Sequence, residues 1–206
     1  MTIAQTETRQ TRTARPKKIP DALICEIMDG KPLYYKGYQD VLTGKKKAAE
    51  IMGSSSLQAF IVSYLMKCIY SFIDDDAYTV LVSEPGVHLD RRDDLSNDIA
   101  IFDQNALPGS KISRKYADVP PKIVVEVDID ADVTELTETG YIHKKTRKLL
   151  AFGVEKIIWV LTETQAVLVA TTERTEILDW NRDLELMDGH LFNIGAQLKR
   201  KGITLD

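Results

Sequence analysis

The chain is poor in the residues that most readily signal a chemistry. Its 206 residues include only two cysteines, Cys25 and Cys68, and three scattered histidines, His88, His143 and His190. Two cysteines build neither a disulfide framework nor a structural zinc cluster, and in apolar surroundings each reads as a buried free thiol. Histidines this far apart offer no metal-ligand spacing. No apolar run reaches bilayer-spanning length, and the N-terminus lacks the apolar core of a secretory signal, which points to the cytoplasm. Basic residues are not in excess either. With 27 Lys and Arg against 31 Asp and Glu, the net charge is −4, so only a local patch would attract nucleic acid.

What is present is the composition of a globular domain, 44% hydrophobic and 28% charged. Residues 1–20 are rich in Thr, Gln, Arg and Lys and show no apolar period, which reads as a disordered or extended tail. Residues 21–206 form one domain with no repeat or linker. ALICEIMDGKPLYY has the pattern of a hairpin turning at Asp29-Gly30. A short helix is expected near Tyr38, Val41 and Leu42. The stripe Leu57, Ile61, Tyr64, Leu65, Cys68, Ile69 and Phe72 gives a longer one, capped within Ser54 to Ser56. A strand near Tyr78 to Ser83 and a charged loop from Asp90 to Asp94 follow. The run Ile123 to Val127 reads as a central strand covered on both faces. A helix is expected to start between Asp130 and Glu135, with Asp132 and Glu135 as a capping pair, and to stop at Gly153. KIIWVL is the next strand. Two or three more strands and a closing helix around Leu191 to Lys201 complete the chain. Alternating strands and helices around an apolar central strand predict an α/β sandwich with a mixed sheet.

Acids stand where this core should be greasy. SNDIAIF carries Asp98, and KIVVEVDID carries Glu126 and Asp128. Strand alternation puts Asp98, Ala100 and Phe102 on one face, and Val124, Glu126 and Asp128 on one face of the next strand. If the two strands are neighbours, up to three carboxylates converge, and crowded carboxylates need a cation or donors. This reads as a divalent-metal site with Asp98, Glu126 and Asp128 as ligands. On the following helix Tyr141, Lys145, Lys148 and Phe152 share a side, so Lys145 can reach the acids. Mg²⁺ or Mn²⁺ held by a few carboxylates activates water, and a nearby lysine offsets charge at phosphorus, which together suit phosphodiester hydrolysis. Lys111, Arg114, Lys115, Lys144, Arg147 and Lys148 are candidates to touch nucleic-acid phosphates. Glu50 and Glu84 are candidate extra acids that read as surface residues.

The same residues carry a resemblance. The chain is similar to the PD-(D/E)XK nuclease superfamily, and within it to the Uma-two family of restriction-endonuclease-like proteins, over roughly Leu23 to Leu161. CEIMDG resembles that family's Glu-x-x-Asp-Gly start, and SSSLQAFI its Ser-rich lead into the first helix. NDIAIF resembles its Pro-Asp strand, KIVVEV its Glu-Val strand, and Lys145 with GVEKIIWVL its lysine helix and Trp strand. The resemblance implies a restriction-endonuclease-like sandwich and a Mg²⁺-dependent endodeoxyribonuclease acting on DNA. Asp98 and Glu126 would be metal ligands and Lys145 the catalytic lysine. The alternative is the same fold kept as an inactive nucleic-acid-binding or assembly module. Three positions depart from the pattern. Asn97 replaces the proline, Gln58 stands where a histidine is usual, and Asp128 occupies the superfamily's lysine place. The lysine therefore falls to the helix, where Lys144 is an immediate neighbour of Lys145. A double-strand cutter with one site per chain would act as a homodimer.

Overall fold

The computed structural model describes residues 18–205. The tail expected over 1–20 lies outside the described residues up to residue 17. In chain order the strands are β1 (Ile24–Met28), β2 (Lys31–Tyr34), β3 (Tyr78–Val82), β4 (Gly86–Asp90), β5 (Asp93–Ser96), β6 (Ile99–Asp103), β7 (Ile123–Val127), β8 (Lys156–Leu161), β9 (Ala166–Thr171), β10 (Thr175–Asp179), β11 (Leu184–Met187) and β12 (His190–Phe192). The helices are α1 (Tyr38–Leu42), α2 (Ser56–Tyr70), α3 (Glu138–Phe152) and α4 (Ile194–Arg200).

Six strands form the central sheet in the order β10-β9-β8-β7-β6-β3. Only β7 and β8 run parallel, joined through α3, so the sheet is mixed. β7 is buried at all five positions, as its unbroken apolar run predicts. Strand alternation then divides the core in two. Ile99, Ile101, Ile123, Val125, Val127, Ile158 and Val160 face α2, α4 and the β11–β12 hairpin. Ala100, Phe102, Val124, Ile157 and Trp159 face α3. A second sheet, β2-β1-β5-β4, packs on the α3 side. Helices on both faces of a mixed sheet are the α/β architecture expected. Among the described residues no helix is long and apolar enough to cross a membrane.

Several boundaries differ from expectation for local reasons. The hairpin turns at Asp29 and Gly30, both at positive φ, as its Asp-Gly pair requires. The charged loop expected over Asp90 to Asp94 is shorter, because Asp93 opens β5, which pairs with both β4 and β1. α3 starts at Glu138 rather than between Asp130 and Glu135. Its cap is Thr137, whose side chain accepts from the Gly140 N–H. Asp132 caps its own Thr134 instead, at 3.1 Å to the backbone N–H. The backbone of this segment pairs with the end of β2, through Lys36 N–H to Asp130 O and Asp132 N–H to Tyr34 O. Four strands rather than two or three follow β8.

Gly153 ends α3 with φ at 120°, and a Cβ there would stand 3.1 Å from Pro120 Cγ. Replacing it by alanine meets both a disfavoured backbone and a proline ring that cannot swing away. Gly153→Ala is expected to cost at least about 1–2 kcal/mol. Urea unfolding checks this, as a lower midpoint at unchanged slope. An unchanged midpoint would contradict the described close of the helix.

Candidate functional site

β6 and β7 pair antiparallel with Ile99 opposite Val125. One step further along that register, beyond the end of β6, Asp98 stands opposite Glu126. Asp98 Oδ2 accepts the Val127 N–H at 2.6 Å, taking the place of the ladder carbonyl that the ended strand no longer supplies. Glu126 is buried in the strand at 5% exposure. Both acids lie on the parity that faces α3, the parity of Ala100, Phe102 and Val124.

Lys145 reaches them from α3, itself only 2% exposed. Its Nζ is 2.9 Å from Glu126 Oε1. The pair is ionic in distance but off the line of a hydrogen bond, so this buried oxygen has no hydrogen-bond partner. The ammonium donates instead to Glu26 Oε1 and to the Ser96 carbonyl, each at 2.6 Å. It also lies 5.8 Å from the Tyr141 ring and 5.6 Å from the Trp159 ring, within cation–π range. Glu26, on β1 of the small sheet, additionally accepts from Tyr141 OH at 2.7 Å and Ser96 N–H at 3.1 Å.

One ammonium thus faces the carboxylates of Glu26, Glu126 and Asp98, and the donors are unevenly shared. Glu26 has three. Glu126 has only the off-line lysine, and burial pushes its carboxyl up to about 8 although Lys145 opposes the shift. Burial likewise raises Asp98 to about 6, against the Val127 N–H that favours its ionised form. Burial also works against the charge on Lys145, but Glu126 and Glu26 outweigh it and hold the ammonium protonated. These groups line a cleft of about 30 Å³. Its walls include six acidic residues, Glu26, Glu84, Asp98, Glu126, Asp128 and Asp130, and a single cation, Lys145.

Lys145, not Lys144, occupies the position beside the acids. Lys144 pairs with Asp29 at 2.5 Å, while Lys148 bridges Asp29 and Asp93 at 2.6 and 2.7 Å. Those two lysines hold the Asp29 carboxyl down at about 2, and their side chains serve internal ion pairs rather than a free phosphate-binding face. Asp128 is placed differently from the expected third ligand. It leaves the strand at φ 62°, which breaks the alternation that would align it with Glu126. Its two oxygens accept from Thr162 N–H and Oγ1 at 2.8 and 2.7 Å, tying the ends of β7 and β8 together. Among the described residues no group of three or more His, Cys, Asp or Glu is arranged to hold a metal ion.

Gln58 Nε2 donates to Val127 O at 2.9 Å and Asp130 Oδ2 at 3.2 Å, bracing the end of β7. Glu84 lines the cleft beside Asp98. Glu50 caps a turn by accepting from Lys47 N–H, away from the cleft. Lys111, Arg114 and Lys115 are exposed on the loop before β7, and Arg147 is exposed on α3; none lines the cleft. Glu26 is the member of the cluster that sequence reading missed. Its signal is the one that exposed Glu126, an acid inside an apolar strand.

No protein-family model matches the chain, and no curated protein matches it. Its fold is similar to the crystal structure of a candidate nuclease belonging to DUF820 from Anabaena variabilis ATCC 29413. The TM-score is 0.60 at 14% identity, over 84% of this chain and 89% of that one. The class defined by fold is thus a mixed α/β sandwich shared with that protein, and the similarity at this identity extends to the fold alone.

The raised carboxyl of Glu126 has a consequence for stability in metal-free buffer. A folded-state value above the unfolded one favours folding below about 4.5, and that contribution is lost as pH rises through about 8. Glu126→Gln cannot ionise and escapes this loss. Its stability relative to wild type is therefore expected to increase between pH 5 and 8, by up to a few kcal/mol. Urea denaturation of both proteins across that range measures the difference. A flat difference would mean that Glu126 is ionised at no cost.

Proposed function

We propose that this chain is a divalent-metal-dependent endonuclease that hydrolyses DNA phosphodiesters with metal-activated water. The observation that carries the reading is Glu126, an acid buried mid-sheet with one oxygen free of hydrogen bonds, beside Asp98 in a cleft with one cation. Burial raises the carboxyls of both Asp98 and Glu126, and the one ammonium near them is already engaged by Glu26, so a divalent cation would favour their ionised forms. Glu26 is already satisfied, so Asp98 and Glu126 are the donors left to hold the ion. Mg²⁺ and Mn²⁺ fit such a set, since hard cations accept one or two carboxylates and retain waters or substrate oxygens for the rest. When bound, the ion supplies a nucleophilic water of lowered pKa and Lewis acidity at the phosphate. Asp98 and Glu126 orient the site from adjacent strands. The Lys145 ammonium, kept protonated by its neighbours, stabilises negative charge that develops on the phosphoryl oxygens. Lys111, Arg114, Lys115 and Arg147 are the exposed candidates to meet the DNA backbone, with binding that weakens as salt increases. A homodimer in the cytoplasm is the form in which one site per chain cuts both strands.

The alternative is a nuclease fold that binds nucleic acid or assembles without turnover. Its support is the depth of Lys145, whose charge is already engaged by Glu26, Ser96 and Glu126.

Supercoiled plasmid incubated with Mg²⁺, Mn²⁺ or EDTA separates the two. Nicking is expected with either metal and not with EDTA, falling about 100-fold or more in Glu126→Gln and in Asp98→Asn. Calorimetric Mn²⁺ binding is expected to weaken in both variants. Metal-dependent nicking that survives both substitutions would overturn the site. Absence of both nicking and Mn²⁺ binding in wild type would overturn the endonuclease reading and put the module reading in the lead.

A further inference from the structure

The Glu-x-x-Asp-Gly segment at the start of the domain has no part in the reaction as described, yet it meets three lysines of one helix. Glu26 holds Lys145 at 2.6 Å, and three residues on Asp29 holds Lys144 and Lys148 at 2.5 and 2.6 Å. Lys144 and Lys148 are one turn apart on α3, so both can reach a single carboxylate at the hairpin turn. Lys145 is rotated about 100° from Lys144 and points into the core. An ammonium there would otherwise be free to follow Glu126. It is instead fixed from the opposite side, by a carboxylate whose own orientation is set by Tyr141 OH and Ser96 N–H.

We infer that Glu26 is the positioning residue for the active-site lysine: it lies on the second sheet and acts only through Lys145. The inference rests on the nuclease reading for its consequence in catalysis, but its geometric content concerns the protein without metal or DNA. The three donors to Glu26 occupy its carboxylate, whereas Glu126 Oε1 meets only the Lys145 charge. The two glutamates on either side of Lys145 therefore have different duties, Glu126 toward the ion and Glu26 toward the lysine. Removing the Glu26 charge while keeping its shape leaves Lys145 held by Glu126 and the Ser96 carbonyl alone, and draws the ammonium into the place the ion would take.

The test has two readouts on the full chain. The first is lysine footprinting of metal-free protein by reductive methylation, read residue by residue by mass spectrometry. Wild-type Lys145 is expected to be among the slowest lysines to react. Glu26→Gln accelerates it about 10-fold or more, while Asp29→Asn accelerates Lys144 and Lys148 and leaves Lys145 slow. Circular dichroism shows which variants fold. Tyr141→Phe, which keeps the Glu26 charge and removes one of its donors, gives a smaller acceleration of Lys145 and covers the case in which Glu26→Gln does not fold. Equal protection of Lys145 in wild type and in the folded Glu26 and Tyr141 variants would overturn the inference.

The second readout is single-turnover plasmid nicking in a double-mutant cycle. Glu26→Gln is expected to lower the rate about 10- to 100-fold with Mn²⁺ affinity no weaker than wild type. Combined with Lys145→Met it adds no further loss, because it works through that lysine. Additive losses, or a Mn²⁺ affinity that falls in Glu26→Gln, would make Glu26 a ligand or a structural residue and overturn the assignment. If wild type shows no nicking, the nuclease reading fails while footprinting still decides the positioning role.

Discussion

A protonated amine sealed between carboxylates from two different sheets is the interaction on which this molecule turns. Lys145 joins β1 of the small sheet to β7 of the large one, and neither sheet hydrogen-bonds to the other through its strands. The apolar contacts of Tyr141, Trp159, Phe102 and Leu95 bring these layers together without specifying how they are rotated. A buried ion pair contributes little net stability, because desolvation offsets most of the attraction. Breaking it by removing one partner is costly, on the order of 3–5 kcal/mol, because a charge is then left alone. The pair therefore acts as a constraint on geometry more than as a source of stability.

That constraint is deliberately unbalanced at its other end. Had the cluster been purely structural, two acids for one base would be an expensive choice, since apolar residues of similar volume pack as well or better. Yet Glu126 is kept at the fourth of five positions in the fully buried β7, and Asp98 is placed one residue before β6 begins, where the backbone ladder opens. The missing ladder bond is supplied by Asp98 itself through the Val127 N–H, which leaves one of its oxygens uncommitted by that contact. Glu126 is left with only the off-line Lys145 charge to oppose its burial. The large sheet thus carries Glu126, and the small sheet carries Glu26, the counter-charge that keeps the lysine in place.

The sequence displayed the larger share of this. An acid in an apolar strand stands out locally, so Asp98, Glu126 and their shared face followed from a period of two. Lys145 followed from a period of 3.6. Asp128 obeys the same period on paper, but one residue at positive φ ends the strand and sends its carboxylate to Thr162, and backbone dihedrals of that kind leave no signature in an Asp. Glu26 bore the same mark as Glu126 and was not assigned a role, because its partner lies 119 residues away. Nothing in a short strand announces which distant helix it will meet. The start of α3 failed for a related reason. Asp132 and Glu135 look like a cap, but the neighbouring backbone is claimed by the end of β2, and tertiary pairing prevailed over local propensity.

The lysine-rich face of α3 illustrates what local reading cannot separate. KKTRK looks like a solvated stripe, and in an isolated helix its charges would be interchangeable. In the fold they are sorted by rotation about the helix axis. Lys144 and Lys148 go to Asp29 at the turn, Arg147 goes to solvent, and Lys145 goes inward. A slip of one residue along the helix would turn it by about 100° and carry the inward charge out of the cleft. The pairs at Asp29 are partly exposed, so each adds little stability. Together with the Asp93 contact they fix the rotation at which a single ammonium faces Glu26 and Glu126, which is why ion pairs outside the cleft determine the chemistry available inside it.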